Sequence, residues 1–99
     1  SLKIGNIFLD TEKYMCKWKN KLVNLTVTEF LLIKSLVKNI GVVKSRDQLI
    51  NSAFGEDKEN IDDRSIDHHF KRIRKKFKGV DNSFNSIITV YGGGYKFSE

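Results

Sequence analysis

The sequence predicts an α+β domain in which an N-terminal antiparallel sheet and a C-terminal hairpin flank three helices. Three observations carry this. Apolar residues alternate along residues 1–25, the two-residue period of half-buried strands. Through residues 26–78 the period lengthens to that of helices, and the glycines Gly92, Gly93 and Gly94 then divide two last strand-like runs. The 99 residues are 39% hydrophobic and include seven Phe, enough for one modest core without a metal or disulfide to hold it.

Leu2 and Ile4, Ile7 and Leu9, then Tyr14, Cys16 and Trp18, and finally Leu22 alternate around turn signals at Gly5-Asn6 and Lys19-Asn20. Together they predict a sheet of up to four strands with one buried face. Thr26 and Glu29 have capping-box spacing, and Leu25 and Phe30 stand where a hydrophobic staple packs. The helix they open has Phe30, Ile33, Leu36, Val37 and Ile40 on its inner face and Gly41 to end it; Thr28 is a second possible start. A second box, Ser45 with Gln48, opens a shorter helix with Leu49, Ile50 and Ala53 turned inward.

After a break at Gly55 and the polar run Glu56, Asp57, Lys58, Glu59 and Asn60, either Asp62 or Asp63 caps a third helix over 62–78. Ile66, Phe70, Ile73 and Phe77 fall on one stripe of it, while Arg64, His68, Lys71, Arg72 and Lys75 lie on the opposite side. Gly79 to Ser83 read as a connector. Ile88 and Val90 then face one way on a strand, and Tyr95 and Phe97 return on its partner.

Charge narrows the partner. The net charge is +6, and residues 71–78 carry Lys71, Arg72, Arg74, Lys75, Lys76 and Lys78 with no acid among them. A docked helix with a cationic outer face suits a polyanion, and its width suits the DNA major groove. Cys16 is the single cysteine, so it has no internal disulfide partner, and no Cys/His cluster has zinc spacing. The apolar runs fall far short of the roughly 20 residues that span a bilayer, and no signal-peptide pattern opens the chain. His68 and His69 are no metal pair, since adjacent helical residues point about 100° apart. Asp62 and Asp63 read as a cap, not as catalytic carboxylates, and no nucleophile, base and orienter fall together.

Helix, short helix, loop, basic helix, hairpin is the order of a winged helix-turn-helix. The segments Leu25-Thr26-Val27-Thr28-Glu29-Phe30, Ser45-Arg46-Asp47-Gln48-Leu49, Asp63-Arg64-Ser65-Ile66-Asp67 with His69, and Tyr91-Gly92-Gly93-Gly94-Tyr95 resemble, in order and spacing, the signatures of the OmpR/PhoB-type DNA-binding domain. These are the output domains of bacterial two-component response regulators. The resemblance covers essentially the whole chain, 1–99, divided as the sheet (1–25), three-helix core (26–78) and wing hairpin (84–98). The wording of Val43-Lys44-Ser45-Arg46-Asp47 and of residues 61–67 is nearest to the ChvI branch.

The lone cysteine and the lack of a spanning or signal pattern read as cytoplasmic, and the residues suggest neither cofactor nor catalysis; the resemblance implies a transcription factor whose recognition helix enters the major groove of double-stranded DNA and whose wing lies near the minor groove. It also implies a receiver domain outside this sequence, phosphorylated by a cognate sensor kinase, and head-to-tail homodimers on tandem half-sites. Arg72 is the first candidate for base reading, because guanidinium pairs with guanine O6 and N7; Asp67 and His68 follow, against an ordinary salt bridge and an exposed histidine. Arg46, Arg64, Ser65, His69, Lys71 and Arg74 match backbone-contacting positions, with Lys75 beside them. Arg64 has the alternative of pairing with Asp62, Asp63 or Asp67. In the wing the candidates are Thr89, Tyr91, Gly92 and Tyr95. Tyr91 stands where many relatives have an arginine, and Tyr95 has core packing as its alternative. The loop 55–60, with Glu56, Asp57, Lys58 and Glu59, corresponds to the family's contact with RNA polymerase. Two rivals stand: a protein-interaction winged helix, and RNA binding through the same basic face, which a helix fits poorly in the narrow A-form major groove.

Overall fold

The computed structural model describes residues 1–55 and 63–99, with the side chains of Asp63 and Arg64 left aside. The expectations that fall on residues 56–62, the polymerase loop and the cap at Asp62, lie outside the described residues, as does the side-chain role of Arg64.

Four strands, β1 (Leu2–Ile4), β2 (Ile7–Asp10), β3 (Met15–Trp18) and β4 (Lys21–Val23), form an antiparallel meander in sequence order. Ile7, Leu9, Cys16, Trp18 and Val23 are buried on its inner face. Two sequence expectations fail here. Tyr14 precedes β3 in a turn at φ 52° and is 48% exposed, and Leu22 points outward while Val23 points in. The turn decides the second. Lys19 and Asn20 both adopt positive φ, a two-residue reversal that pairs Trp18 with Lys21 and so sets Val23 opposite Cys16. A slip of one residue exchanges the faces of a strand.

Helix α1 (Val27–Val37) starts at Thr26, not Thr28. The Glu29 N–H donates to Thr26 Oγ1 at 3.2 Å, and the Thr26 N–H donates to Glu29 Oε1 at 2.8 Å. Phe30, Leu32, Ile33, Leu36 and Val37 are all buried, so α1 is apolar round much of its girth, as befits a central helix. It ends at Val37, short of Ile40 and Gly41. Beyond it the chain is drawn to the wing instead: the Gly41 N–H donates to the Phe97 carbonyl at 2.9 Å. Helix α2 (Arg46–Phe54) has its own complete box, with Gln48 N–H to Ser45 Oγ at 3.1 Å and Ser45 N–H to Gln48 Oε1 at 2.8 Å.

Helix α3 (Asp63–Val80) buries Ile66, Phe70, Ile73 and Phe77 completely, the stripe read from the sequence. It runs two residues past the expected end, through Gly79 and Val80. Asp81 fixes that end: its N–H donates to the Phe77 carbonyl at 3.0 Å, and its carboxylate takes Trp18 Nε1–H at 2.8 Å and Lys19 Nζ at 3.2 Å. Trp18, Phe77, Phe84 and Phe97 form the aromatic centre, with the Phe77 and Phe84 rings stacked at 4.4 Å.

The wing is β5 (Ile87–Val90) paired antiparallel with β6 (Gly94–Phe97). Ile88 and Val90 share a half-buried face; Ile87, opposite Phe97, is the buried residue of β5. Lys44 adds a short third rung to β6, its N–H donating to the Tyr95 carbonyl at 2.8 Å and its carbonyl accepting from Tyr95 N–H at 2.9 Å. The turn before α2 is thereby stitched to the wing.

Candidate nucleic-acid interface

The buried stripe of α3 fixes which side chains face out. His68, Lys71, Arg72 and Lys75 are exposed. Among the described residues, no hydrogen bond or ion pair engages His68, Lys71 or Lys75. The Arg72 side chain is 56% exposed, and its Nε lies 3.9 Å from Glu29 Oε2 on α1. One turn further along, Lys76 Nζ meets Glu29 Oε1 at 2.5 Å.

Glu29 is the functional-looking group that sequence reasoning did not find. Its box spacing with Thr26 gave it a complete local role, and no local pattern signals a partner 47 residues away. The side chain is only 2% exposed. Burial alone pushes its carboxyl up, but hydrogen bonds from Lys76 and the Thr26 backbone, with the Lys76 charge, hold it below its ordinary value.

A second node joins α2, α3 and the wing. Asp67 Oδ1 accepts from Arg46 Nε at 2.9 Å and Nη2 at 2.7 Å, and from the Tyr95 hydroxyl. The Tyr95 hydrogen bond, then the Arg46 guanidinium, hold Asp67 below the usual carboxylate range against the opposing cost of burial. Burial, reinforced by Asp67, pushes the Tyr95 phenol up to about 12. The Tyr95 ring stacks on Phe70 at 4.2 Å, and the guanidinium groups of Arg46 and Arg74 lie 5.5 and 5.8 Å from its centroid. Arg74 also donates to Thr89 Oγ1 at 2.6 Å and to the Ile87 carbonyl at 3.1 Å.

The candidate residues therefore divide. His68, Lys71, Arg72 and Lys75 form one outward face, while Asp67, Arg46, Arg74, Thr89 and Tyr95 are already engaged with one another. His69 is half-buried, and that burial lowers its pKa although the Glu29 charge works the other way. Ser65, half-buried in the first turns of α3, has interactions of its own. At the wing tip Tyr91 is fully exposed beside Gly92, which holds φ +76°. Among the described residues no three of His, Cys, Asp and Glu gather as metal ligands, and no helix is long and apolar enough to cross a membrane.

Residues 20–97 match the family model described as "Transcriptional regulatory protein, C terminal". The chain is 36% identical over 91 residues to the transcriptional regulatory protein BaeR of Escherichia coli O6:H1, covering 92% of this chain and 38% of that protein. It is 37% identical over 94 residues to the phosphate regulon transcriptional regulatory protein PhoB of Rhizobium meliloti, covering 95% and 40%. It thus spans about two fifths of the length of the curated relatives it matches. Among solved structures it is similar to the response regulator AdeR DNA-binding domain in complex with an intercistronic region, with a TM-score of 0.84 and 27% identity over 100% of this chain and 99% of that one. The DNA-binding domain of CpxR from E. coli is similar at a TM-score of 0.79 and 26% identity, covering 99% and 95%. Fold, motif order and these relationships agree: the chain belongs to the OmpR/PhoB-type family of C-terminal domains of transcriptional regulatory proteins.

Proposed function

We propose that this domain binds double-stranded DNA sequence-specifically, as the effector domain of a two-component response regulator, with α3 in the major groove and the wing near the minor groove. The observation that carries the reading is the outward face of α3. His68, Lys71, Arg72 and Lys75 are exposed together on a helix whose opposite stripe is fully buried, which supplies a rigid, cationic rod of groove width. Such a face gains affinity by releasing counterions and specificity from the few side chains that reach base edges.

In this reading Arg72 and His68 address bases, and Lys71 and Lys75 address phosphates. Arg46 and Arg74 act on the backbone from positions already fixed by Asp67 and by the wing. Asp67 serves mainly to orient Arg46, and Tyr91 offers a phenol to sugar or phosphate where many family members place an arginine. The AdeR domain solved with an intercistronic region supports the assignment by likeness. Head-to-tail homodimers on tandem half-sites, a phosphorylated receiver domain with its sensor kinase, RNA polymerase contact through residues 55–60, and a cytoplasmic location belong to the same proposal.

Selection from a randomised duplex library at near-physiological salt tests it. A tandem repeat spaced about one helical turn should be enriched. Arg72→Ala should cost roughly 1 to 3 kcal/mol on that site and relax one base pair, whereas Lys71→Ala should weaken all sequences alike. Binding without enrichment that vanishes as salt rises would reduce the basic face to an electrostatic surface.

A further inference from the structure

A buried carboxylate on the helix behind the recognition face is an expensive object unless its charge is used. Glu29 divides its two oxygens. Oε1 takes the Thr26 N–H at 2.8 Å and Lys76 Nζ at 2.5 Å, which completes the cap of α1 and ties α1 to α3. Oε2 faces Arg72 Nε at 3.9 Å. That distance is too long for a hydrogen bond and lies at the outer limit of an ion pair, so Arg72 is guided without being locked. Its side chain keeps 56% exposure. The contact is made from the Nε edge of the guanidinium. Among the described residues no contact engages the two terminal nitrogens, the fork that matches a pair of acceptors on one base edge.

We propose that Glu29 is a positioning residue for DNA recognition: from α1 it holds Arg72 by its Nε edge, so that the terminal fork of the guanidinium is presented to the groove. The inference rests on the reading of Arg72 as the base-contacting arginine. An unguided arginine on the same helix would sample several rotamers and lose that freedom on binding. A guided one has lost part of it before DNA arrives, and the preference for the correct base rises accordingly.

The test is a double-mutant cycle of Glu29→Gln and Arg72→Ala, reading dissociation constants on the selected site and on a scrambled duplex, with thermal unfolding alongside. Glutamine is the conservative choice because Gln48 completes the equivalent box of α2 in this same chain, so the substitution removes the charge and keeps the cap. Glu29→Gln should lower the cognate-to-scrambled ratio by about threefold to tenfold, part of what one bidentate base contact supplies. Scrambled affinity should hold or tighten slightly as the net charge rises by one. In the Arg72→Ala background the same substitution should lower the ratio no further. An unchanged ratio, or an equal drop in both backgrounds, overturns the inference while leaving the function intact. A wild-type domain with no sequence preference overturns both. If Glu29→Gln does not fold, the Nε–H resonance of Arg72 in the wild-type domain decides. It should move as acid titrates Glu29, in a step separate from that of His69, whose charge also acts on Arg72, and a resonance that stays still in the Glu29 step rejects the contact.

Discussion

Asp67 and Tyr95, 28 residues apart, share one hydrogen bond at the point where α3 meets the wing, and the oxygen they share is the one that Arg46 reaches from α2. Three elements thus converge on a single atom. The Asp67 side chain is 48% exposed and that of Arg46 is 34% exposed, so solvent screens the ion pair and Asp67→Asn should cost only about 0.5 to 1 kcal/mol in denaturant unfolding. Tyr95→Phe removes the buried partner and should cost about 1 to 2 kcal/mol. The phenol adds a pH signature. Because its folded value is raised to about 12 from 10, its contribution is complete below pH 10 and disappears as pH rises through 12. Ultraviolet titration should find one phenol with that midpoint, absent from Tyr95→Phe.

The two positive-φ glycines of the wing should behave differently. A Cβ on Gly94, at φ +125°, would stand 2.0 Å from the Lys44 carbonyl oxygen, so Gly94→Ala must break the rung between Lys44, in the turn before α2, and β6. A loss of about 3 kcal/mol or more is expected, with strain and a displaced hairpin both contributing. At Gly92, φ +76°, a Cβ would meet nothing within 4 Å. Gly92→Ala should cost only the left-handed backbone penalty, about 1 to 2 kcal/mol. Equal losses in thermal unfolding would refute the assigned contact at Gly94.

Asp81 should be visible through Trp18. The Trp18 hydrogen bond, followed by one from the Ser83 N–H, holds the Asp81 carboxyl below its ordinary 3.8. A carboxylate depressed in the folded state stabilises above its unfolded pKa, and the gain is lost as pH falls through the folded value. Acid titration below 3.8 should therefore shift Trp18 fluorescence before global unfolding. Asp81→Asn should remove that early step.

Cys16 is 1% exposed, and burial pushes its thiol up to about 12. Since the thiolate is the reactive form, a disulfide reagent at neutral pH should label it only at the rate of opening of the sheet. Fast labelling of the native domain would contradict this.

What could be read in advance was what is encoded over short spans. The Ile66, Phe70, Ile73, Phe77 stripe, both capping boxes and the glycine reversal each declare themselves within a few turns of chain, and each is present. The errors came where partners are remote. Val23 replaces Leu22 on the inner face because the turn register outranks local hydrophobicity. Helix α1 stops early because β6, far along the chain, claims the Gly41 N–H. The site divides in the same way: the outward face of α3 followed from helical period, but the ion-pair partner of Asp67 sits 21 residues back, and the ion-pair partners of Glu29 lie on another helix.

The Lys44–Tyr95 rung also sets an order of events. The β1–β4 meander closes through neighbouring strands, and each helix forms within itself, whereas the rung spans about 50 residues and must wait for that long loop to close. A nascent chain that has emerged only as far as α3 contains the basic segment but lacks Tyr95 and Phe97, both buried in the finished core. Its Gly41 and Lys44 amides have no carbonyl to meet. The cationic segment is thus synthesised before the strand that completes its packing, and β6 works as the clasp that turns a charged peptide into a surface with a defined contour.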